Sequence, residues 1–489
     1  FVGRNGLIQE SGLTSAELIT NGDFATDLSG WIISNTDATN TITWETNGAR
    51  IISTTNLIGI QQNNVLTIGK SYKLTCNVAI TTGSIGLDGS TSGSAIVMVE
   101  GFNEIYFTAA SDTFKIKRTT ANSNCLLDNV SVKEIQTDVP RIDFTDDPTG
   151  HLLLEPQSTN ILDYSQDFSQ NYWGKQSATV TTSTITDPTG DQKSFKLVPN
   201  SGTGGNRSIG KNFTGLSGLH TQSVFAKKGE YNYIALRTRN NPNASVMFDL
   251  ENGTFNVNQT SVAFVSAKIE DYGSGWYKCS ITVDPSQMNS AGQIFTSFSV
   301  GITGNETNSF DGNGTSGVYI FGAQFEQNSY PTSYIPTSGS AVTRNQEICN
   351  NSGTVNDFNS EEGVLYAEIA ALADDLTFRE IALSDGTSNN TVELRFRTVS
   401  NNISAIVRSI DGTVQVGIGS SAYTITSFNK IAFKYKLNDF ALWINGVKVV
   451  TDTSGVTPIG LSELAFDNSV GNDLFYGKTK NVKVFKRAL

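Results

Sequence analysis

The feature that most constrains the fold of this chain is residues 318–336, which read V-Y-I-F-G-A-Q-F-E-Q-N-S-Y-P-T-S-Y-I-P. Val318, Ile320 and Gly322 fall on one face of an extended chain, and the residues between them fall on the other. This alternation predicts a half-buried β-strand. The two prolines that follow then end the strand pairing, because proline has no N–H to donate to a sheet.

A similar closing run occurs earlier in the chain, and each run has a matching opening. Residues 125–134 read C-L-L-D-N-V-S-V-K-E. Residues 18–31 contain N-G-D-F followed by a tryptophan, and residues 160–173 contain S-Q-D-F followed by a tryptophan. We therefore predict two modules with related first and last strands, followed by a third block.

The composition favours β-structure and argues against two classes of function. A chain of 489 residues is too long for one core, so about three domains are expected. Only 16% of the residues are charged and 45 are glycines, which is typical of a turn-rich β-protein. The net charge of −12 argues against nucleic-acid binding, and no apolar run of about 18 residues spans a membrane. Because the chain begins with Phe1 and carries no signal peptide, we expect a fragment or a processed form.

These motifs carry a resemblance to known proteins. The two openings, with the endings L-L-D-N-V-S-V-K-E and V-Y-I-F-G-A-Q-F-E…Y-P-T-S-Y-I-P-T, resemble carbohydrate-binding-module-like jelly rolls of bacteriophage tail-fibre, head-fibre and receptor-binding proteins. The last block, with F-N-K-I-A-F-K-Y-K…F-A-L-W-I-N-G-V-K-V, is similar to a concanavalin-A/laminin-G-like sandwich. The resemblance implies an all-β chain of three tandem β-sandwich (jelly-roll) modules, assembled as a homotrimer.

Four segments are predicted from the motifs and the resemblance. Residues 1–14 hold a strand that packs with the central module, 15–136 form an inserted jelly roll, 137–345 form the central jelly roll, and 346–489 form the laminin-G-like sandwich. In the resembled proteins the first strand runs directly into P-R-I-D-F, which begins here at Pro140. Residues 1–10 are therefore expected to pack near residues 141–154. Residues 365–376 fit either a short helix or a strand, and the resemblance favours a strand followed by a loop.

Residues 231–239, Y-N-Y-I-A-L-R-T-R, carry the most informative surface pattern. The period of two places Ile234 and Leu236 toward the core. It places four large side chains on the other face: Tyr231, Tyr233, Arg237 and Arg239. Tyrosine rings offer flat apolar plates for sugar rings, and arginines offer forked donors. We predict a carbohydrate-binding face; the alternative is a solvated face whose arginines pair with local acids.

Among the tryptophans, Trp44 lies beside a predicted hairpin tip and is a second candidate for sugar contact. Trp31 and Trp173 recur at equivalent places, which indicates shared core anchors.

The resemblance also implies a structural calcium ion in the first module, bound by Asp23 and Asp128. Oxygen ligands of this kind suit calcium. The central module has Asp167 at the opening, but Phe321 stands where Asp128 would align, so calcium should favour the first module. The alternative is that these aspartates cap turns.

The sequence carries no recognisable catalytic motif. The run Gly312–Gly317 matches G-x-G-x-x-G, but it precedes a strand and predicts a turn. Four cysteines are too few for a disulfide scaffold, and a Cys76–Cys125 bridge stays open as an alternative to free thiols in the core.

The sequence thus predicts a non-enzymatic phage virion fibre protein, in a tail or head fibre, that attaches to host-surface polysaccharide. It would act on the virion surface, outside the cell, beside other virion proteins. The alternatives are a purely structural virion or filament component, a polysaccharide-degrading tailspike, and a secreted bacterial adhesin.

Overall fold

The computed structural model describes residues 2–4, 7–8, 13–46, 48–91, 95–136, 140–145, 147–202, 206–239, 244–259, 263–288, 294–301, 303 and 310–488. Among them, every regular element is a β-strand except the 3-10 turn Pro285–Gln287. The strands pair in antiparallel sheets, which confirms the all-β prediction. In these ranges no helix has the length and apolarity needed to cross a membrane.

The chain divides into two compact units, each assembled from separate stretches of sequence. One unit consists of Phe1–Gly6, Asp138–Gln157 and Asn345–Leu489. The other consists of Leu7–Thr137 and Ser158–Arg344, and it holds two large hydrophobic cores besides smaller apolar clusters.

The first sandwich has a six-stranded sheet in the order β3-β4-β11-β6-β9, with β1 paired to β11, and a five-stranded sheet in the order β2-β5-β10-β7-β8. Its strands are β1 (Leu13–Thr14), β2 (Ile32–Ser34), β3 (Thr41–Glu45), β4 (Gly48–Ser53), β5 (Gly59–Gln62), β6 (Ser71–Thr82), β7 (Ile85–Leu87), β8 (Ile96–Val97), β9 (Gly101–Thr108), β10 (Phe114–Arg118) and β11 (Ser123–Gln136).

Two short strands, β12 (Arg141–Asp143) and β13 (His151–Leu154), follow the first sandwich. They were expected to open the central module. Instead, β13 pairs with the last strand of the chain, Gly477–Phe485, and so belongs to the C-terminal sheet. The N-terminal segment also joins this unit at Val2, whose N–H donates to Asp143 Oδ1 at 2.7 Å. Within the other unit, the Ile8 N–H donates to the Pro188 carbonyl at 2.8 Å.

The central sandwich has two six-stranded sheets, in the orders β15-β18-β25-β20-β21-β22 and β16-β17-β26-β19-β24-β23, and a separate β14-β27 pair. Its strands are β14 (Ser158–Asn160), β15 (Gly174–Gln176), β16 (Ala178–Thr182), β17 (Phe195–Pro199), β18 (Ser208–Phe213), β19 (His220–Lys227), β20 (Tyr233–Arg239), β21 (Ala244–Asp249), β22 (Thr254–Gln259), β23 (Phe264–Asp271), β24 (Trp276–Val283), β25 (Ile294–Gly301), β26 (Val318–Glu326) and β27 (Val342–Arg344).

The C-terminal sandwich has a seven-stranded sheet in the order β12-β13-β37-β28-β33-β34-β35 and a five-stranded sheet in the order β32-β31-β30-β29-β36. Its remaining strands are β28 (Glu362–Ala371), β29 (Arg379–Ser384), β30 (Thr391–Phe396), β31 (Ile403–Ser409), β32 (Thr413–Ser420), β33 (Asn429–Lys436), β34 (Phe440–Ile444), β35 (Val447–Asp452), β36 (Glu463–Ala465) and β37 (Gly477–Phe485). The region that fitted either a helix or a strand is therefore a strand, β28, followed by a loop.

The closing strands of the first two sandwiches share a bulge that sequence alternation did not reveal. In β26 the register shifts beside Gly322, whose φ is +59°. In β11 it shifts beside Asn129, whose φ is 51°. A bulge reverses which side chains face the core. As a result Ile320 and Phe325 both lie in the central core, although they are five positions apart, and Phe321 faces a smaller cluster.

Polar side chains bind the opening of the central sandwich to its closing stretch. The buried Asn160 amide donates to the Ala323 and Ile335 carbonyls at 3.1 and 2.9 Å, and its oxygen accepts from the Phe325 N–H at 3.1 Å. The Ser165 hydroxyl hydrogen-bonds the Tyr334 hydroxyl at 2.7 Å. The opening and closing motifs of the central sandwich therefore have a structural role, because each segment supplies hydrogen-bond partners to the other.

Trp31 and Trp173 are core anchors, as predicted. Each is almost fully buried and lies 5.3 Å from the phenylalanine of its D-F motif, Phe24 or Phe168. Each indole N–H donates to a carbonyl of the opening segment.

Cys76 and Cys125 are free thiols rather than a disulfide. The Cys76 Sγ lies 3.8 Å from Met98 Sδ in the first core. Burial raises the pKa of Cys76 to about 12, so its thiol stays protonated.

The first and central sandwiches pack against one another within their unit. A small apolar cluster between them consists of Tyr106, Ile135, Ile335 and Val342. Beside it, the Ser71 hydroxyl donates to the Thr343 carbonyl at 2.6 Å.

Candidate functional site

Strand β20, which carries most of the predicted sugar-binding residues, lies inside a six-stranded sheet between β25 and β21. Ile234 and Leu236 are fully buried in the central core. Directly opposite residues on neighbouring antiparallel strands point to the same face. The other side chains of β20 therefore share the outer face of this sheet with their cross-strand partners.

The alternation does not extend to Tyr231, because β20 begins only at Tyr233. Tyr231 packs against the central core, and its ring meets Phe310 edge-on at 5.6 Å. The side chain of Arg239 lies outside the described part of the chain. Of the four predicted residues, Tyr233 and Arg237 are thus the ones that the structure places on the outer face.

Tyr233 lies directly across from Asp249 and hydrogen-bonds its carboxylate. Partial burial would raise the pKa of Asp249, but hydrogen bonds from Asn252, from the Glu251 N–H and from Tyr233 hold it below its ordinary value. An ionised carboxylate therefore fixes the tyrosine ring at one end of the face.

Arg237 is only 7% exposed, so the outer face at this point is recessed rather than openly solvated. Its cross-strand neighbours are Ser245 on β21 and Ser297 on β25. The next row of the same face holds Ser299 on β25 and Ser208 on β18. We call these four serines the serine face.

All four hydroxyl groups of the serine face are buried and have no hydrogen-bond partner among the described residues. A buried hydroxyl without a partner costs about 1–3 kcal/mol. Each hydroxyl can donate one hydrogen bond and accept two. The face therefore has an unmet hydrogen-bonding capacity that a hydroxyl-rich ligand or ordered water can satisfy.

The serine face was missed by sequence reasoning. Its members come from three strands that are distant in the chain, and serine is common throughout this sequence. The one available signal was the S-x-S spacing at Ser297 and Ser299, which places both hydroxyls on one face of a strand.

Trp44 belongs to the first sandwich and is 42% exposed, in agreement with its place beside a hairpin. Its indole N–H donates to the Phe24 carbonyl at 2.7 Å, which fixes the ring at the surface. Trp44 is therefore an aromatic surface of its own, on a different sandwich from the serine face.

The predicted calcium ligands Asp23 and Asp128 lie close enough for their charges to interact. Burial raises the pKa of Asp128, the Asn129 N–H opposes that rise, and the Asp23 carboxylate adds to it. Within the described ranges, no group of three or more His, Cys, Asp or Glu side chains is arranged to hold a metal ion. The pair fits a cation in charge, and the remaining oxygen ligands of a calcium ion would be backbone carbonyls and water.

Calcium is expected to stabilise the first sandwich if this pair binds it. At a free concentration one hundred times the dissociation constant, the gain is about 2.7 kcal/mol. The measurement is thermal unfolding with calcium and with a chelator, together with elemental analysis of the purified protein. The test variant is Asp128→Asn, which alters a predicted ligand. The matched control is Asp167→Asn in the central sandwich, where the Asp167 carboxylate accepts from the Ser169 N–H at 2.9 Å. Absence of bound metal and of any calcium-dependent shift would refute the site.

No family model matches the sequence, and no curated protein matches it. Among solved structures, a CBM40 module of the Ruminococcus gnavus IT-sialidase, bound to α2,3-sialyllactose, is 14% identical over 29% of this chain and 89% of that chain, with a TM-score of 0.25.

Two further structures span more of the chain. The tandem CBM22 domains of Paenibacillus barcinonensis Xyn10C are 11% identical over 65% of this chain and 98% of that chain, with a TM-score of 0.23. Domains LG4-5 of the mouse laminin α1 chain are 10% identical over 72% of this chain and 93% of that chain, with a TM-score of 0.21. These similarities are too weak to assign a family, and the fold described above rests on the strand pairing.

Proposed function

We propose that this chain is a non-enzymatic fibre subunit of a bacteriophage virion that attaches to host-surface glycans. The observation that carries the glycan-binding part is the serine face: four buried hydroxyls without partners beside Arg237 on one sheet. Sugar hydroxyls are both donors and acceptors, so they match the serine hydroxyls. The virion setting rests on the motif resemblance of the two openings and closings.

Binding at this face requires movement of the groups that cover the hydroxyls. Met247 lies across from Ala235 on the same face and is almost fully buried. Methionine side chains are flexible and adapt to new neighbours. A sugar ring that displaced such groups would bind weakly, near millimolar, or about 4 kcal/mol.

Weak single sites suffice when many copies act together. A homotrimeric fibre, held on the virion surface by other virion proteins, would present several sites to one cell. Linked sites raise the overall affinity by about 10²–10⁴-fold without any new contact. The proposal therefore needs no deep pocket and no catalytic group.

The test is a glycan array probed with the purified chain, followed by adsorption to host cells that display the best polysaccharide. We expect binding to a restricted set of glycans, and weaker binding after Tyr233→Ala. Phe102→Ala is the matched aromatic control, because Phe102 is exposed on the first sandwich and is not a predicted sugar contact. Binding to no glycan would leave the chain as a structural virion component, and release of cleaved sugar would identify a tailspike.

A further inference from the structure

The C-terminal sandwich contains a second polar site, in a cavity of about 330 Å³ on the outer face of its five-stranded sheet. Five charged residues line it: Glu380 on β29, Glu393 and Arg395 on β30, Arg408 on β31, and Asp473. The rest of the lining is serine, asparagine and glycine. The lining therefore offers hydrogen bonds and charges but no apolar plate.

Glu380 and Glu393 form a buried pair at the centre of this cavity. Each is only 2% exposed, and the two carboxyl groups lie close enough for each to affect the protonation of the other. Glu393 Oε1 accepts from Arg408 Nε at 2.9 Å and from the Thr391 hydroxyl at 2.5 Å. Glu393 Oε2, by contrast, has no fixed donor within the described part of the chain.

The cavity has one carboxyl group more than its arginines can neutralise. Arg408 is engaged by Glu393 and also donates to the Gly412 carbonyl at 3.2 Å. Arg395 Nη1 lies 3.7 Å from Glu380 and 3.5 Å from Glu393, which is longer than a hydrogen bond. The cavity thus holds three carboxyl groups but only two guanidinium groups. One of these two, the guanidinium of Arg395, lies beyond hydrogen-bond distance of Glu380 and Glu393.

A proton makes up this deficit in the free chain. Burial raises the pKa of Glu380 to about 9, the negative charges of Glu393 and Asp473 contribute, and Arg395 only partly opposes the rise. The Glu380–Glu393 pair therefore retains a proton at neutral pH, and this proton lies between the two carboxyl groups. The proton occupies a place where a positive charge with N–H donors would fit.

We propose that this cavity binds a small organic cation with a primary ammonium group, held between the carboxyl groups of Glu380, Glu393 and Asp473. An ammonium group brings one positive charge and three donors. As it enters, Glu380 releases its proton to the buffer, and the two carboxylates accept N–H bonds in place of the shared O–H bond.

Two other ligand classes fit the cavity less well. A neutral sugar would leave the charge deficit unchanged, and a quaternary ammonium group needs aromatic faces, which the lining lacks. The inference is independent of the serine face, which lies in another sandwich.

The test uses the full chain at pH 6.5 and isothermal titration calorimetry in two buffers of different ionisation enthalpy. The probes are glucosamine hydrochloride and 2-aminoethanol, with glucose and N-acetylglucosamine as uncharged controls. We expect at least one of the amines to bind at least tenfold more tightly than either control, with release of about one proton per amine.

The decisive variant is Glu380→Gln, which keeps the shape of the side chain but cannot release a proton. It is expected to weaken amine binding at least tenfold and to abolish the buffer dependence of the heat. Glu463→Gln is the matched control, because Glu463 lies on the same sheet and bonds Ser384 but does not line the cavity. Equal binding of glucose, no binding of either amine, or unchanged binding by the Glu380 variant would each overturn the proposal.

Discussion

Replacing Arg141 by alanine is expected to lower the free energy of unfolding of the C-terminal sandwich by about 3–5 kcal/mol. Arg141 Nη2 lies 2.6 Å from Glu155 Oε2 and 2.5 Å from Glu347 Oε1, and all three side chains are almost fully buried. Removing the guanidinium would take its positive charge away from two buried carboxylates. The cost of an uncompensated buried charge exceeds the cost of the lost packing.

Hydrogen exchange measured by mass spectrometry on peptides of β13 and β37 reports this loss, because these strands flank the cluster in one sheet. Arg397→Ala is the matched control, since Arg397 is exposed on the same sandwich and should change stability by less than about 0.5 kcal/mol. Equal protection in the Arg141 variant and the control would show that the ion cluster does not support the sandwich.

Replacing Glu326 by alanine is expected to destabilise the central sandwich by about 3–5 kcal/mol. Glu326 is fully buried at the end of β26. Its carboxylate accepts from the Ser158 hydroxyl at 2.5 Å, the Thr332 hydroxyl at 2.6 Å, the Thr332 N–H at 2.9 Å and the Gln324 amide at 2.6 Å. Without it, the Ser158 hydroxyl and the Thr332 N–H would lose this acceptor, and the Gln324 amide would keep only longer contacts of 3.4–3.5 Å to Thr332 and Ser333.

The effect should be greatest in peptides that cover β26 and β14, where exchange of the amide hydrogens will accelerate. Glu251→Ala is the control: its carboxylate pairs with Lys228 at the surface, and such pairs contribute about 0–1 kcal/mol. If the two variants exchanged at the same rate, the closing stretch would be held by its apolar contacts alone.

Much of the fold could be predicted from local patterns. Alternation placed Ile234 and Leu236 in the core, and the recurring D-F…W motifs located Trp31 and Trp173 as anchors. These signals depend on residues close in sequence. They fail where the backbone departs from regular geometry, as at Gly322, because a positive φ is open to glycine in a bulge as well as in a turn.

The place of β12 and β13 could not be predicted from local patterns. Their sheet partner, β37, follows more than 300 residues later. Nothing in the sequence of β13 itself selects that partner, because the backbone hydrogen bonds that join strands do not depend on which side chains the strands carry. The P-R-I-D-F motif predicts that residues 140–154 belong to the central module. Their pairing with β37 places them in the C-terminal sandwich instead.

The candidate site could be predicted only in part, because sequence spacing does not show which strands pair or in which register. Tyr233 and Arg237 follow from the period of β20, whereas Tyr231 lies before the strand begins and turns toward the core. The serine face depends on the register of β18, β20, β21 and β25, which sequence spacing does not give. Likewise, the Glu380–Glu393 pair joins two strands whose alternation is visible but whose alignment is not.

The most direct test of glycan binding at the outer face of β20 is a titration of the best oligosaccharide from the array against three forms of the chain. These are the unmodified chain, the double variant Ser297→Ala with Ser299→Ala, and Thr296→Val, whose hydroxyl lies on the core side of the same strand. Two lost hydrogen bonds of about 0.5–1.5 kcal/mol each predict an affinity that is weaker by about 5- to 150-fold for the double variant alone. Unchanged affinity in the serine variant, or an equal loss in Thr296→Val, would contradict the account.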